Sequence, residues 1–171
     1  MGYVLLLGGA RSGKSALACR LAAESGRDVT VIATATAGDA EMTARIERHR
    51  ASRPAQWRTV EEPIELGAAV ATSDSKSYVL VDCLTLWVAN LLGDGVSAAE
   101  IVERAGSVAA ALAERDAVVV TNEVGLGIVP ANELARTYRD TLGAVNAEFA
   151  AGAQRALLMV AGRALELVAP R

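Results

Sequence analysis

The sequence Gly8-Gly9-Ala10-Arg11-Ser12-Gly13-Lys14-Ser15 matches the phosphate-binding pattern G-x-x-x-x-G-K-[ST] at every fixed position. It follows an apolar run, Tyr3–Leu7, and opens the predicted helix Ser15–Ser25. In such a strand–loop–helix unit, backbone N–H groups point at phosphate oxygens. We therefore expect Lys14 to reach the β and γ phosphates of a nucleoside triphosphate, and Ser15 Oγ to bind Mg²⁺. An ordinary glycine-rich turn is the weaker alternative, because the whole pattern occurs in the right context.

On both sides of this loop, short apolar runs alternate with helical stretches. The predicted strands are Tyr3–Leu7, Val29–Thr34, Tyr78–Val81, Ala117–Val120, Leu157–Val160 and a short sixth, Leu165–Val168. The predicted helices are Ser15–Ser25, Asp39–Arg50, Thr85–Leu92, a helix from the capping box at Ser97 to about Arg115, and one from Glu133 to about Ala150 after the Asn132 cap. Strands of continuous Val, Leu and Ile separated by helices indicate a three-layer α/β fold with a mostly parallel sheet. The segment Glu62–Ser77 has the weakest signal, and Thr72–Ser77 within it is predicted to be an exposed loop.

Composition narrows the class of protein. A chain of 171 residues, 52% of them apolar and 22% charged, suits a single globular domain over residues 1–171. The net charge of −3 argues against a general nucleic-acid binder. Cys19 and Cys83 have no metal or redox spacing, as expected for reduced thiols in a cytoplasmic protein. We see no signal peptide and no apolar run of the roughly 18 residues that a membrane span needs.

Polar residues follow two of the predicted strands. Asp82 ends the run Val79–Val81, where P-loop enzymes place an acid that holds Mg²⁺, usually through water. Thr121-Asn122-Glu123 follows the run Val118–Val120. Because ligands of open α/β sheets bind beyond the carboxyl ends of the strands, these three residues either face the phosphates or cap a turn. The pattern favours neither alternative.

The only histidine, His49, lies late on the predicted helix Asp39–Arg50, among four arginines within nine residues, Arg45–Arg53. A solvated helix face is one interpretation. The other is a phosphate clamp, in which arginines bind phosphoryl oxygens and disfavour the imidazolium form, so that His49 stays nucleophilic. The dipole at the helix C-terminus acts in the opposite direction, and the sequence leaves the balance open.

A series of blocks then occurs in a characteristic order. They are Gly8–Ser15, Ile32-Ala33-Thr34, Asp39-Ala40-Glu41-Met42 with Arg45-Ile46 and His49-Arg50, Arg53-Pro54 with Trp57-Arg58-Thr59, Val60-Glu61-Glu62-Pro63, Asp82-Cys83-Leu84-Thr85-Leu86-Trp87 with Asn90-Leu91-Leu92, Thr121–Pro130, and Arg136, Tyr138-Arg139-Asp140 and Asn146. Over essentially the whole chain, these blocks resemble the bifunctional adenosylcobinamide kinase / adenosylcobinamide-phosphate guanylyltransferases of cobalamin biosynthesis. Two positions depart from some relatives, which have Glu in place of Asp82 and a second histidine in place of Arg48.

The resemblance implies two reactions. A nucleoside triphosphate, ATP or GTP, phosphorylates adenosylcobinamide. GTP then gives GMP to His49 and releases pyrophosphate, and adenosylcobinamide phosphate takes the GMP to form adenosylcobinamide-GDP. The resemblance also implies a P-loop fold with a sheet related to that of RecA-type proteins, and a homotrimer.

By residue match, the catalytic residues are His49 and Lys14. The residues expected to bind the nucleotide are Gly8, Gly9, Ala10, Arg11, Ser12, Gly13, Lys14, Ser15, Ala33, Thr34, Ala35, Arg50, Ala51, Ser52, Arg53, Glu61, Glu62 and Asp82, with Ser15 and Asp82 holding Mg²⁺. Arg50 and Arg53 are expected to steady the α-phosphate. Glu61 or Glu62 is expected to read the guanine edge, although both could instead be surface acids before a proline turn.

Three functions remain open at the level of sequence. The first is the bifunctional enzyme. The second is a simple P-loop small-molecule kinase without a covalent nucleotidyl intermediate, in which His49 is dispensable. The third is a non-catalytic nucleotide switch or assembly subunit. The sequence does not decide whether kinase activity is retained, and Asp82 and Glu123 are only candidates for the general base of that step.

Overall fold

The computed structural model of the chain describes residues 1–169, which form seven strands and six helices. The elements are β1 (Gly2–Gly8), α1 (Lys14–Glu24), β2 (Val29–Ala33), α2 (Ala40–Ala51), β3 (Arg58–Glu61), α3 (Leu66–Thr72), β4 (Tyr78–Asp82), α4 (Leu84–Gly93), α5 (Ala98–Ala113), β5 (Asp116–Val120), α6 (Glu133–Gly152), β6 (Arg155–Val160) and β7 (Arg163–Leu167). None of the helices in this described part is long and apolar enough to cross a membrane.

The seven strands form one sheet in the order β3-β2-β4-β5-β1-β6-β7. All neighbouring strands run parallel except β6 and β7, which form an antiparallel hairpin at one edge. Parallel neighbours cannot be joined by a tight turn, so helices cross over between them. The predicted, mostly parallel α/β fold is confirmed.

Helices cover both faces of the sheet. On one face, α1 packs closely through the small side chains of Ala18 and Ala22. On the other face, α3, α4, α5 and α6 bury larger side chains such as Trp87, Ile101 and Phe149. This arrangement gives the three predicted layers. Helix α2 differs from all the others, because it buries none of its residues and lies outside both cores.

Two elements escaped the sequence analysis. Strand β3 has only four residues, all partly or fully exposed, because it lies at the edge of the sheet. Helix α3 has seven residues, and its N-cap, Glu65, makes no side-chain capping bond. Such short elements carry little periodicity. The predicted exposed loop Thr72–Ser77 is therefore partly wrong, since Thr72 ends α3 and the side chains of Ser73 and Ser77 are buried.

The start of the phosphate loop depends on glycine at its first position. Gly8 has a φ of 149°, and a Cβ on this residue would collide with the Met159 carbonyl oxygen of β6 and lie 2.9 Å from Ser12 Oγ. A Cβ on the neighbouring Gly9 would have no such neighbour within 4 Å. The two glycines thus make a matched pair, of which only Gly8 is required for steric reasons.

We expect Gly8→Ala to lower the free energy of unfolding by about 2–3 kcal/mol, because both backbone strain and a clash with β6 oppose it. Gly9→Ala should change it by less than about 1 kcal/mol, since open space surrounds the added methyl group. Urea denaturation of both variants measures the difference. Equal stabilities of the two variants would contradict the steric argument.

Candidate active site

The phosphate loop bends back on itself at the carboxyl end of β1. Gly13 caps α1 with a φ of 99°, and Lys14 is the first residue of the helix. The Lys14 ammonium group donates to the carbonyl oxygens of Gly8 and Gly9, each at 2.7 Å, and to Ser12 Oγ at 3.3 Å. Burial of the side chain lowers the pKa of Lys14 below its ordinary value, and the nearby Arg45 acts in the same direction. The loop therefore concentrates N–H donors and one cation at the N-terminus of α1.

Asp82, the last residue of β4, is the centre of an ionic cluster. Its Oδ2 accepts a hydrogen bond from Arg53 Nη2 at 2.6 Å and lies 3.3 Å from His49 Nδ1. The side chains of Arg53 and Asp82 are only 8% and 13% exposed. Burial alone would raise the pKa of Asp82, but the hydrogen bond from His49 and the charge of Arg53 outweigh it, and the net pKa is lowered. Asp82 is thus a buried anion that can only accept hydrogen bonds.

The Asp82 carboxylate determines the tautomer of the neutral His49 imidazole. Because a carboxylate cannot donate, the proton of a neutral His49 lies on Nδ1 and the lone pair lies on Nε2. The His49 side chain is 36% exposed, so its ring remains accessible from the cleft described next.

One open cleft of about 1350 Å³ joins the loop to the histidine; we call it the phosphate cleft. Its lining includes the loop from Ala10 to Ser15, together with Arg45, Arg48, His49, Asp82 and Asn122. Residues that are far apart in sequence therefore surround one space at the carboxyl edge of the sheet. Arg45 and Arg48 line this cleft and are also exposed to solvent, so the phosphate clamp stays a prediction.

A second space of about 510 Å³ adjoins the cleft on the other side of His49; we call it the inner pocket. Its lining is largely apolar and comes from α2, α4 and the ends of β2, β3 and β4. The apolar residues include Ala33, Ala35, Met42, Ile46 and Leu86. The polar and charged members are Arg45, His49, Arg50, Arg53, Thr59, Glu61 and Asp82, and among them Arg50 pairs with Glu61. The sequence analysis quoted Met42, Ile46 and Leu86 within the family blocks but did not name them as site residues. The spacing of Met42 and Ile46 at i and i+4, on the same helical face as His49 and Arg50, was the available signal.

Several residues that were predicted to bind the nucleotide make hydrogen bonds within the protein or lie on its surface. Thr34 is fully buried, and its Oγ1 donates to the Cys83 carbonyl at 2.7 Å and accepts from the Cys83 N–H at 3.0 Å. Glu62 Oε1 accepts from the N–H groups of Ile64 and Glu65, at the start of α3. Ala51 is exposed. Ser52 Oγ donates to the His49 carbonyl at 2.9 Å, and Ser52 also lines a third space together with Ser15 and Asp82. The side chains of Thr34 and Glu62 therefore have structural partners.

The three residues after β5 separate into different roles. Thr121 is fully buried and donates to Asn146 Oδ1, and Glu123 accepts a hydrogen bond from the N–H of Gly125. Only Asn122 borders the phosphate cleft. Thr121 and Glu123 thus make hydrogen bonds within the protein, whereas contact of Asn122 with phosphates stays a prediction. The family resemblance includes Asn146 but gives it no role.

The polar groups of the cleft also suit a magnesium ion that arrives with a nucleotide. Within residues 1–169 no group of three or more His, Cys, Asp and Glu side chains could hold a metal by itself. Mg²⁺ needs few protein ligands when phosphates and waters supply the rest. Ser15 and Asp82 border the same cleft, and one Asp82 oxygen is not used by Arg53 and His49. Their donor atoms fit such a shared ion.

Known proteins are similar in sequence to this chain over nearly its whole length. The family model described as cobinamide kinase / cobinamide phosphate guanyltransferase matches residues 4–167. The chain is 47% identical over 171 residues to the bifunctional adenosylcobalamin biosynthesis protein CobP of Pseudomonas aeruginosa, with 95% of each chain covered. It is 41% identical over 174 residues to the bifunctional adenosylcobalamin biosynthesis protein CobU of Escherichia coli K12, covering 93% of this chain and 96% of that protein.

Solved structures share the fold at low sequence identity. The RadB recombinase superposes with a TM-score of 0.51 at 16% identity, covering 92% of this chain and 73% of that chain. A prototypical ATPase of the type III secretion system of pathogenic bacteria gives a TM-score of 0.55 at 10% identity, covering 92% and 50%. These likenesses confirm the predicted P-loop NTPase fold.

We expect Asp82→Asn to lower the free energy of unfolding by about 3 kcal/mol at pH 7, because it leaves the buried Arg53 without its counter-ion. The folded-state pKa of Asp82 lies below its unfolded-state value. The ionised carboxylate therefore stabilises the fold above about pH 4, and this stabilisation disappears as the pH falls through the folded-state pKa. The difference between wild type and variant should shrink correspondingly below about pH 4.

Urea denaturation between pH 7 and pH 3 measures this effect. Asp94→Asn is the matched control, since Asp94 is exposed and forms no ion pair in the part of the chain that the structure describes. A difference between wild type and Asp82→Asn that stays constant over the whole pH range would rule out the assigned ionisation.

Proposed function

The chain belongs to the cobinamide kinase / cobinamide phosphate guanyltransferase family, and we propose that it phosphorylates adenosylcobinamide and then transfers GMP from GTP to adenosylcobinamide phosphate through guanylylated His49. The observation that carries the proposal is the position of His49. Its Nδ1 is bound to Asp82, while its ring borders both the phosphate cleft and the inner pocket. A nucleotide with its phosphates in the cleft and its base in the pocket would have its α-phosphate at this ring.

The nucleotidyl transfer takes place in two displacements. In the first, Nε2 of His49 attacks the α-phosphorus of GTP, a P–N bond forms, and the bond from the α-phosphorus to the bridging oxygen breaks to release pyrophosphate. Asp82 keeps the Nδ1 proton in place and stabilises the positive charge that develops on the ring. In the second, a phosphate oxygen of adenosylcobinamide phosphate attacks the same phosphorus. The P–N bond then breaks and neutral His49 is restored.

Charges along the cleft suit the phosphates. Lys14 lies at the N-terminus of α1, and Arg45 and Arg48 line the side formed by α2. Ser15 and Asp82 would hold Mg²⁺, which neutralises phosphate charge when it is bound. Arg53 acts indirectly, because its guanidinium is committed to Asp82 and thereby orients the partner of His49.

The inner pocket suits a purine base. Its apolar surface can contact the ring faces, and Glu61 and Asp82 are the two carboxylates of its lining. Glu61 accepts from Arg50 through Oε1, which leaves Oε2 for the base. A carboxylate accepts well from N1–H and the exocyclic amino group of guanine, whereas adenine has no donor at N1. Glu61 is the better candidate for base recognition than Glu62, which accepts two backbone N–H groups at the start of α3.

The kinase step needs a base other than a strongly paired carboxylate. The lowered pKa of Asp82 and its contact with Arg53 make it a poor proton acceptor. Glu123 is the other candidate that the sequence offered, but its carboxylate accepts from the Gly125 N–H and the residue is not among those that line the phosphate cleft, so the base of this step stays unassigned. We further infer that residues 1–171 act as one domain and that the enzyme is a cytoplasmic homotrimer. Exposed apolar side chains, such as Leu126 at 85% and Ile128 at 97%, support association with further copies.

We expect purified protein incubated with Mg²⁺ and α-labelled GTP to retain label after denaturation, whereas γ-labelled GTP should leave none. A phosphoramidate at histidine is labile to acid and stable to alkali, so the bound label should follow that pattern. His49→Ala should lose it entirely, because residues 1–171 contain no other histidine.

Nucleotide binding by His49→Ala serves as the control for its fold. Label that persists in His49→Ala would place the nucleophile elsewhere. Absence of label from wild-type protein that binds GTP would exclude the guanylyltransferase mechanism and leave the simple P-loop kinase.

We expect Glu61→Gln to reduce the preference for GTP over ATP about tenfold, because a charged acceptor for the guanine edge is lost. Glu62→Gln is the matched control and should keep that preference while weakening the start of α3. Competition binding of the two nucleotides gives the ratio for each variant. An unchanged ratio in Glu61→Gln, or a fall confined to Glu62→Gln, would contradict the assignment.

A further inference from the structure

Asn122, the second residue after β5, lines the phosphate cleft, and hydrogen bonds hold both its own backbone and its two neighbours in place. Two hydrogen bonds attach its flanking residues to β1, since Thr121 N donates to Leu6 O at 2.9 Å and Glu123 N donates to Gly8 O at 3.3 Å. Asn122 therefore lies beside the first glycine of the phosphate loop.

Two side chains from other helices hold the Asn122 backbone itself. Its N–H donates to Thr85 Oγ1 of α4 at 2.8 Å, and its carbonyl accepts from Asn146 Nδ2 of α6 at 3.0 Å. Tyr138 of α6 in turn donates to the Thr85 carbonyl at 3.2 Å. The backbone of this single residue is thus fixed from two helices as well as from the neighbouring strand.

The Asn146 side chain holds the segment after β5 through both ends of its amide group. It is 5% exposed, and the oxygen of Asn122 can only accept, so Nδ2 must face it. The amide oxygen of Asn146 is then left to accept from Thr121 Oγ1 at 2.7 Å. A buried amide with both ends matched specifies one geometry, because any other arrangement would leave buried polar groups unpaired.

The backbone of Asn122 is fully hydrogen-bonded, whereas its carboxamide makes no such bond in the described residues. Within residues 1–169 the hydrogen bonds of Asn122 use only its backbone groups, and the residue lines the cleft together with Lys14 and Ser15. With the α-phosphate at His49, above β4, the later phosphates extend toward β1. Strand β5 lies between these two strands, so Asn122 faces the part of the nucleotide beyond the α-phosphate.

We propose that the Asn122 carboxamide donates a hydrogen bond to the terminal phosphate of bound GTP, and that Thr85 and Asn146 are positioning residues that aim it. The inference rests on the proposed nucleotide substrate and adds the residue that distinguishes a triphosphate from a diphosphate. A neutral donor suits this position, because it binds the phosphate without adding a further charge that would retain the pyrophosphate after transfer.

The test measures binding of two guanine nucleotides in which a methylene group joins the α- and β-phosphates, one a triphosphate and one a diphosphate. Neither can transfer its α-phosphate, so calorimetric titration with Mg²⁺ reports binding alone. We expect Asn122→Ala to weaken the triphosphate about tenfold and the diphosphate by less than about twofold, since a hydrogen bond to a charged group is lost in one complex only.

The positioning residues are tested through the same ratio. Asn146→Asp and the isosteric Thr85→Val should each weaken the triphosphate selectively, and Asn122→Ala combined with either should lose no more than Asn122→Ala alone, because these residues act through one contact. Asn132→Ser, which keeps a capping side chain at the start of α6, is the matched control and should match wild type. Thermal melting identifies any variant that fails to fold, and Thr85→Val supports the test if Asn146→Asp is lost in this way.

Equal weakening of both nucleotides, no effect of Asn122→Ala, or additive losses in the double variants would overturn the proposal. Its failure is distinguishable from failure of the covalent mechanism. Wild-type protein that binds both nucleotides but takes no label on His49 would refute only the mechanism, whereas labelled protein without the selective loss would refute only the role of Asn122.

Discussion

The geometry of the active site depends on the hydrogen bonds that the Asp82 carboxylate accepts from Arg53 and His49. Helix α2 carries His49 but buries none of its own residues completely, and its apolar residues Met42 and Ile46 are only partly buried, so apolar packing alone does not fix it on the sheet. Its attachment is also polar, through Asp82 and through the pair between Arg50 and Glu61. The ion pair between Asp82 and Arg53 therefore contributes more to the position of the imidazole than to net stability, because desolvation of the two charges offsets much of their attraction.

The order of the strands divides the candidate site into two sides, the inner pocket and the phosphate loop. Strands β2, β3 and β4 end at the inner pocket, whereas β1 ends at the phosphate loop, and β5 lies between the two groups. Because all five run parallel, their carboxyl ends meet at one edge, where ligands of such sheets bind. His49 stands at the boundary between the two sides. In the proposed mechanism, the base of the nucleotide would lie on one side of His49 and the later phosphates on the other.

Much of the fold could be predicted because its signals are local. The loop Gly8–Ser15, the apolar strands and the capping residues Ser97 and Asn132 are each read from a few neighbouring residues, and the structure confirms the sheet and the layers that they indicate. Strand β3 and helix α3 could not be found in this way. Both are short, and β3 is a strand because β2 offers it an unpaired edge, which is a tertiary property.

Residue type and order along the chain were enough to establish the P-loop fold, the family resemblance and the identity of the lone histidine. Which polar groups meet is a property of the folded chain alone. Folding pairs Asp82 with Arg53 and His49, turns Glu62 toward α3 while leaving Glu61 at the inner pocket, and brings Asn146 to the backbone of Asn122. These contacts depend on directions and distances between elements far apart in sequence, for which spacing along the chain carries no information.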